Sequence, residues 1–205
     1  MTDEEVLESL ENEGLSNTIR AQIKERKLQA AIPVLLEIVR GQKRLPAKLS
    51  AAATLVSLGN TSWLPDIKPY VADPNSGTTL RERISVAGAL ALGGDYSHFD
   101  MVEESLGTGE LKVRQAAIKA LGAFGQVNGQ VATRAVELLE ATAVGDSDAS
   151  LRNSAIASLE KIVEAKPERK TSLVRAYEAN INSDNRYLKA WCEAGLKKYR
   201  DKSEQ

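Results

Sequence analysis

At five places along this chain, a basic residue is followed seven positions later by a leucine. Successive basic residues lie 35, 31, 38 and 37 positions apart. The basic residues are Lys48, Arg83, Arg114, Arg152 and Lys189, and the leucines are Leu55, Leu90, Leu121, Leu159 and Leu196. Repetition at this period is typical of proteins built from stacked supersecondary units, each of which needs its neighbours to bury a core.

The residues around each leucine predict a helix with one buried face. With each basic residue counted as position zero, positions three, four, seven and ten share one side of an α-helix and are mostly small or apolar. Position three holds Ala51, Val86, Ala117, Ala155 and Cys192. The last copy has Glu193 at position four, as expected of an outer cap whose face meets water. Each copy therefore predicts an amphipathic helix of about four turns.

Glycines and prolines mark the expected ends of the helices. Gly59, Gly94 and Gly125 follow three of the copies, where a left-handed cap would need glycine. Pro33, Pro65 and Pro167 fall near the starts of other helical segments, where a missing N–H costs little. Pro69 falls further along its segment and is expected to bend or break that helix.

A second helical segment precedes each of these helices, so the repeated unit is helix–turn–helix. Residues 30–40, "AAIPVLLEIVR", place Ile32, Leu35, Leu36 and Val39 at helical spacing. Segments 63–72, 97–106, 129–143 and 168–181 occupy the same place in later copies, and residues 4–28 predict a helix pair without the basic–leucine register. No alternating pattern is long enough to indicate a strand. The sequence therefore predicts an all-α fold.

This pattern resembles the HEAT-repeat family, particularly its short bacterial form, named after phycobilin lyases. In that form the second helix reads roughly Asp-x-Asp-x-x-Val-Arg-x-x-Ala-x-x-Ala-Leu-x-x-hydrophobic-Gly. Residues 145–162, "GDSDASLRNSAIASLEKI", and residues 109–125, "GELKVRQAAIKALGAFG", follow it closely. The match is looser elsewhere: Lys48 lacks the preceding acids, and "DPNSGTTLRER" at 73–83 lengthens the turn before Arg83.

The resemblance implies a right-handed α-α superhelix of about six helix pairs. The chain would form a single domain over residues 1–205. Its pairs would be a degenerate one at 1–28 and repeats at 29–60, 61–94, 95–126, 127–165 and 166–205.

Charge and composition restrict the partners. The net charge is −1, so global charge does not recruit nucleic acid or an anionic membrane. The charge is unevenly spread, with −6 over residues 1–15, +6 over 20–48, −5 over 49–160 and +4 over 161–205. No apolar run is long enough to predict a membrane span, and the acidic start has no signal-peptide core. With a single cysteine as well, we expect a cytoplasmic protein if Met1 is the native start.

Two interpretations of the basic residues at position zero are open. They could form a ladder of cations on the inner surface that meets an anionic partner. Alternatively, each could pair with an acid in the preceding turn or in the neighbouring repeat, as Asp146, Asp148, Glu110 and Asp184 are placed to do. The structural interpretation is favoured, because charges in the same register of a solenoid usually tie its repeats together.

No residue pattern predicts a catalytic, cofactor or metal site. His98 is the only histidine, and although Asp95 and Asp100 are near it, no second histidine or cysteine lies at ligand spacing. Cys192 occupies the small position three, which indicates a core thiol rather than a nucleophile. The glycines of "LALGGDY" and "LGAFGQVNG" lack the strand and Lys-Ser/Thr of a phosphate loop.

Positions two and five of each copy are expected to face the concave groove of such a solenoid. Most are small, so a partner helix or extended segment could lie closely against them, although they could equally exist only to let helices stack. The candidate protein-binding residues are Ser50, Ser85, Lys119, Ser154 and Trp191. Trp191 is a possible anchor, since tryptophan is enriched among the residues that dominate binding energy.

The favoured function is a non-enzymatic protein-binding scaffold or adaptor. The resemblance also offers a phycobilin-lyase-like accessory or chaperone role. A nucleic-acid-binding role is less favoured, because that requires a strongly basic groove and residues 49–160 carry a charge of −5.

Overall fold

The computed structural model describes residues 1–73 and 77–200, and the regular structure in these residues is helical throughout. Helices follow one another in six consecutive pairs, in which α5 and α6 together form one member, so the predicted all-α class with about six pairs is confirmed. The helices are α1 (Asp3–Glu13), α2 (Asn17–Arg26), α3 (Ile32–Arg40), α4 (Leu45–Ser57), α5 (Leu64–Ile67), α6 (Pro69–Ala72), α7 (Leu80–Leu92), α8 (Phe99–Glu104), α9 (Leu111–Phe124), α10 (Gln130–Gly145), α11 (Ala149–Ala165), α12 (Lys170–Asn180) and α13 (Arg186–Arg200).

The chain divides into two compact units, Met1–Gly93 and Gly94–Gln205. In the first unit α3 packs on α4, and α7 packs on both α4 and α6. In the second unit α11 packs on α9, α10 and α12, and α12 packs on α13. Within each unit a helix therefore contacts mainly its own partner and the adjacent pair, as expected of stacked repeats.

Small residues and leucines form the core of each unit. The five leucines at position seven are all buried, the most exposed being Leu196 at 8%. Position three is completely buried in every copy, from Ala51 to Cys192. A small side chain at position three lets the neighbouring helix approach, and the leucine one turn later fills the space between the helices. The predicted buried face is therefore confirmed in all five copies at positions three and seven, whereas Gly93 and Tyr199 at position ten are only partly buried.

Two of the three predicted glycine caps are left-handed, and the third is not. Gly59 and Gly94 have φ values of 76° and 98°, a region that favours glycine. Gly125 instead has φ −69° and ψ −17°, so the predicted left-handed conformation is wrong there. A Cβ on Gly125 would collide with Cδ1 of the buried Ile162. Gly125 is thus needed for the close approach of α11 to the end of α9.

The prolines lie where the sequence predicts. Pro33 and Pro65 occupy the first turns of α3 and α5, and Pro167 opens a 3₁₀ turn that leads into α12. The segment carrying Pro69 is divided at Lys68 into two four-residue helices. The long turn predicted at 73–83 includes residues 74–76, which lie outside the described residues, as do residues 201–205 of the last repeat.

The seam between stacked helices can be tested by truncating a single leucine. Leu121 is fully buried in the last turn of α9, so Leu121→Ala should lower the free energy of unfolding by about 2–5 kcal/mol through lost burial and a residual cavity. Leu111 begins the same helix and is 42% exposed, so Leu111→Ala serves as the matched control and should change stability by less than about 0.5 kcal/mol. Urea unfolding followed by circular dichroism gives both values, and equal losses would refute this packing.

Candidate functional site

The candidate site is a solvent-facing side of the second helices in the unit Gly94–Gln205. Residues spaced by four, three and four positions share one face of a helix. On α9, α11 and α13 these positions form what we call the second-helix face: Lys112 and Lys119, then Ser150, Ser154, Ala157 and Lys161, then Tyr187, Trp191, Ala194 and Lys198. All of these residues are exposed or partly exposed. The face thus has a floor of small side chains, four lysines and an aromatic pair on the last helix.

The buried faces of the same helices fix where these residues point. On α13, Leu188, Cys192 and Leu196 are buried, so Tyr187 and Trp191 are turned away from the core. A hydrogen bond of 3.5 Å, from Nε2 of Gln115 to Oγ of Ser150, joins α9 to α11 along this side. The side chains of neighbouring second helices therefore meet at the edge of the face.

An aromatic pair stands at the α13 end of the second-helix face. Tyr187 is 73% exposed, and Trp191 follows it by one helical turn and is partly exposed. The guanidinium of Arg186 lies 4.8 Å from the centroid of the Tyr187 ring and donates a hydrogen bond of 2.8 Å to its hydroxyl. Tyrosine, tryptophan and arginine are the residues most often responsible for binding energy at protein interfaces. Sequence reasoning identified Trp191 but missed Tyr187, which occupies the same face four positions earlier.

Two of the three serines among the groove candidates bond their hydroxyls to their own helix, and the third accepts a hydrogen bond from α2. Ser154 donates to the carbonyl of Ser150 at 2.8 Å. In the first unit Ser85 donates to the carbonyl of Arg81 at 3.0 Å, and Ser50 accepts from Arg20 at 3.1 Å. A hydroxyl bonded to its own helix presents a small, weakly polar surface to solvent.

Two other small residues at groove positions do not face solvent. Gly88 at position five of its copy and Ala116 at position two of its copy are buried. Neighbouring helices cover them, so positions two and five form an open surface only in part.

The cation of the third copy joins two repeats. Arg114 forms an ion pair with Asp146, whose side chain is only 8% exposed. Its Nε also donates to the carbonyl of Leu106 at 3.1 Å, in the turn that ends the preceding helical segment. The guanidinium thus satisfies a carbonyl at a helix C-terminus, where positive charge is favourable, and at the same time reaches the next repeat.

The cation of the fourth copy is held by neutral acceptors. Arg152 donates from Nη1 to the carbonyl of Asp146 at 2.7 Å and from Nε to Oδ1 of Asn180 at 3.0 Å. The buried amide of Asn180 in turn donates to the carbonyls of Ala143 and Ala176, both at 2.8 Å. This network links α10, α11 and α12 without a carboxylate.

Within the part of the chain that the structure describes, the basic residues of the first, second and fifth copies also do not show the expected pairing with acids. Arg83 donates to the carbonyl of Val71 at 3.3 Å, and the buried Lys48 lies 5.5 Å from the ring centroid of Tyr70. Lys189 is exposed. Asp148, expected to pair with a cation, instead caps α11 by accepting from the backbone of Ser150 and Leu151, and its bond to the Ser150 hydroxyl contributes most to lowering its pKa. Most of these side chains form hydrogen bonds to backbone carbonyl or N–H groups that have no partner at helix ends. The repeat motif does not show where those backbone groups lie.

Two side chains with raised pKa values, Cys192 and Tyr177, lie in the core. Burial raises the pKa of Cys192 to about 11, and the carboxylate of Glu160 adds to the shift. Burial and a hydrogen bond to Glu160 likewise raise the pKa of Tyr177. His98 is partly buried just before α8. Among residues 1–73 and 77–200 no three His, Cys, Asp or Glu side chains come together as metal ligands, and none of the helices there is long and apolar enough to cross a membrane.

Comparison with known proteins supports the reading of the repeats. Residues 80–160, from α7 into α11, match the family model of HEAT repeats. These residues are HEAT repeats. The fold is similar to a chain in the solved structure of the complex of CpcE and CpcF of phycocyanin lyase from Nostoc sp. PCC7120. The TM-score is 0.50 at 24% sequence identity, over 82% of this chain and 98% of that chain. No curated protein matches the sequence.

The predicted resemblance is therefore confirmed for the HEAT repeats, whose second helices include α7, α9 and α11. At this level of identity the likeness to the lyase complex is one of fold. The chemistry of the second-helix face must be judged from the side chains themselves.

The raised pKa of Cys192 gives a pH prediction. The neutral thiol is the stabilised form, so its contribution to stability is complete below the unfolded-state pKa of about 8.5 and is lost as the pH rises through the folded value. Iodoacetamide should therefore label the native protein negligibly at pH 8 and the urea-unfolded protein rapidly. Between pH 8.5 and 11 the unfolding free energy should fall less steeply in Cys192→Ala than in the wild type. Rapid labelling of the native protein at pH 8 would contradict this placement of the thiol.

Proposed function

We propose that this protein is a non-enzymatic protein-binding scaffold that holds its partner on the second-helix face. The observation that carries the proposal is the aromatic pair Tyr187 and Trp191, exposed on a helix whose opposite side is fully anchored in the core. A rigid helix that presents large aromatic side chains loses little conformational entropy on binding. The small residues that α11 contributes to the face leave room for a partner segment to lie flat.

The lysines of the face indicate the chemistry of the partner. Lys112, Lys119, Lys161 and Lys198 are exposed, and no acidic residue occupies the face as we define it. Opposite charges across an interface accelerate association and select the partner. We therefore propose a partner segment with acidic side chains and an apolar residue that meets Trp191.

The likeness to the CpcE–CpcF complex supports a second candidate, a phycobilin-lyase-like accessory role. That structure is a complex of two proteins, so a protein partner is compatible with both candidates. The two differ in whether a tetrapyrrole accompanies the bound protein. We favour the scaffold because the second-helix face offers anchors for a protein segment.

A pair of substitutions tests the face. Trp191→Ala combined with Lys119→Glu removes the anchor and reverses one charge, so partner binding should weaken by at least about 30-fold, the size expected for loss of a hot-spot residue. Lys189→Glu is the matched control, because Lys189 is exposed on α13 but lies two positions from Trp191, on another side of the helix. Affinity purification with quantitative mass spectrometry should find proteins retained by the wild type and the control and lost by the double variant. Thermal unfolding should be the same for all three.

The same purification separates the alternatives. Captured material with visible tetrapyrrole absorbance that moves to a client protein would establish the lyase-like role instead. Tight, salt-sensitive binding of a DNA duplex would establish a nucleic-acid role. Equal retention of every protein by the wild type and the double variant would refute the second-helix face as the binding site.

A further inference from the structure

The unit Met1–Gly93 contains an open cleft, which is separate from the second-helix face. It has a volume of about 430 Å³ and lies between the C-terminal end of α1, one side of α3 and the start of α4. A cavity of this size accommodates one or two large side chains or a small ligand. We refer to it as the α1–α3 cleft.

The apolar wall of the α1–α3 cleft is a part of α3 that the fold leaves uncovered. Residues 30–40 predict Ile32, Leu35, Leu36 and Val39 as one buried face, but the structure buries only Leu35 and Val39 and leaves Ile32 and Leu36 partly exposed. On the cleft side Val34 and Ile38, one turn apart, are also partly exposed, together with Leu15 after α1. A short helix with apolar residues on several sides normally has neighbours on each of them.

The end of α1 gives this wall a negative rim. Glu11 and Glu13 lie in the last turn of α1, and Glu37 of α3 also lines the cleft. The last turn of α1 has no basic residue, whereas α2 ends with Lys24 and Arg26. Because the C-terminus of a helix carries partial negative charge, carboxylates at this position are unfavourable unless a cation joins them.

Cations near the cleft are used elsewhere. Arg26 pairs with Asp3 at 2.8 Å, and Arg40 pairs with Asp66 at 3.1 Å. Arg20 donates hydrogen bonds to Asn17 and to Ser50, a lining residue that α4 contributes. Within the described residues no ion pair engages Glu11, Glu13 or Glu37, so the rim offers three carboxylates beside one cation of the lining, Lys43.

We propose that the α1–α3 cleft is a second docking site, which takes a protein segment carrying a lysine or arginine within one turn of a large apolar side chain. The apolar side chain packs on Val34 and Ile38, and the cation lies among Glu11, Glu13 and Glu37 at the end of α1. This site differs from the second-helix face in its unit, its charge and its partner. The second-helix face therefore favours an acidic partner segment, and the α1–α3 cleft favours a basic one.

Synthetic helical peptides of equal length test the proposal directly. One carries leucines on one face and lysines flanking them, a second replaces the leucines with serine, and a third replaces the lysines with glutamine. The first should bind at least about tenfold more tightly than either of the others, a difference of about 1.4 kcal/mol. Only this peptide has apolar side chains for Val34 and Ile38 and cations for the three carboxylates. Fluorescence anisotropy gives the affinities. Shifts in the ¹H–¹⁵N spectrum should centre on the amides of Gly14, Leu15 and Gly41.

Variants of the protein distinguish peptide binding in the cleft from nonspecific electrostatic attraction to the acidic helix α1. Glu11→Gln with Glu37→Gln should weaken the leucine–lysine peptide about tenfold, and Ile38→Ala should also weaken it. Glu4→Gln with Glu25→Gln makes the same change of charge at exposed positions outside the cleft and should leave binding unchanged. Trp191→Ala should also leave it unchanged, so failure here is distinct from failure of the second-helix face.

Three outcomes would overturn the proposal. The control pair could weaken the peptide as much as the cleft pair does. The spectral shifts could fall on α9, α11 and α13 instead. Finally, sedimentation of the protein alone could show a concentration-dependent dimer that the Glu11→Gln, Glu37→Gln variant abolishes, which would assign the cleft to a second copy of this chain.

Discussion

Every other feature of this protein depends on how closely its second helices can approach the helices beside them. Position three of each repeat is small and completely buried, and the leucine at position seven closes the space that remains. At Gly125 and Gly195 the approach is so close that a single methyl group would collide with Ile162 or with the ring of Tyr177. The core contains few aromatic residues, so this aliphatic contact must be made along the full length of each helix.

The fold could be predicted from the sequence because the same pattern of buried positions occurs in five copies. A side chain that obeys a periodic rule, such as Leu90 or Ala155, is placed by helix geometry alone. Gly125 was misjudged because a glycine after a helix fits two physical needs, a left-handed backbone and a close contact, and only coordinates distinguish them. Arg83 and Arg152 were misjudged because their acceptors are backbone carbonyls, which no residue pattern shows.

The candidate site was less predictable because it lies where the repeat rule ends. Trp191 stood out as a large residue at a position that is small elsewhere. Comparison of the copies would also have found Tyr187, an aromatic residue where the four earlier copies have proline, arginine, lysine and serine. The α1–α3 cleft gave no such signal. Its apolar residues Val34 and Ile38 fit a buried helix equally well, and nothing in the sequence of α3 shows that they remain partly exposed.

The two tryptophans divide between the two compact units, and their surroundings differ. Trp63 is fully enclosed in Met1–Gly93, where its indole N–H donates to the carbonyl of Asn60 at 3.0 Å, whereas Trp191 is partly open to solvent in Gly94–Gln205. The emission of an indole shifts with the polarity around it. Native fluorescence is therefore a sum of one blue component from the first unit and one redder component from the second. Replacing one tryptophan with phenylalanine would leave the other as the fluorescent reporter of its own unit. The unfolding of each unit could then be followed separately in the intact chain.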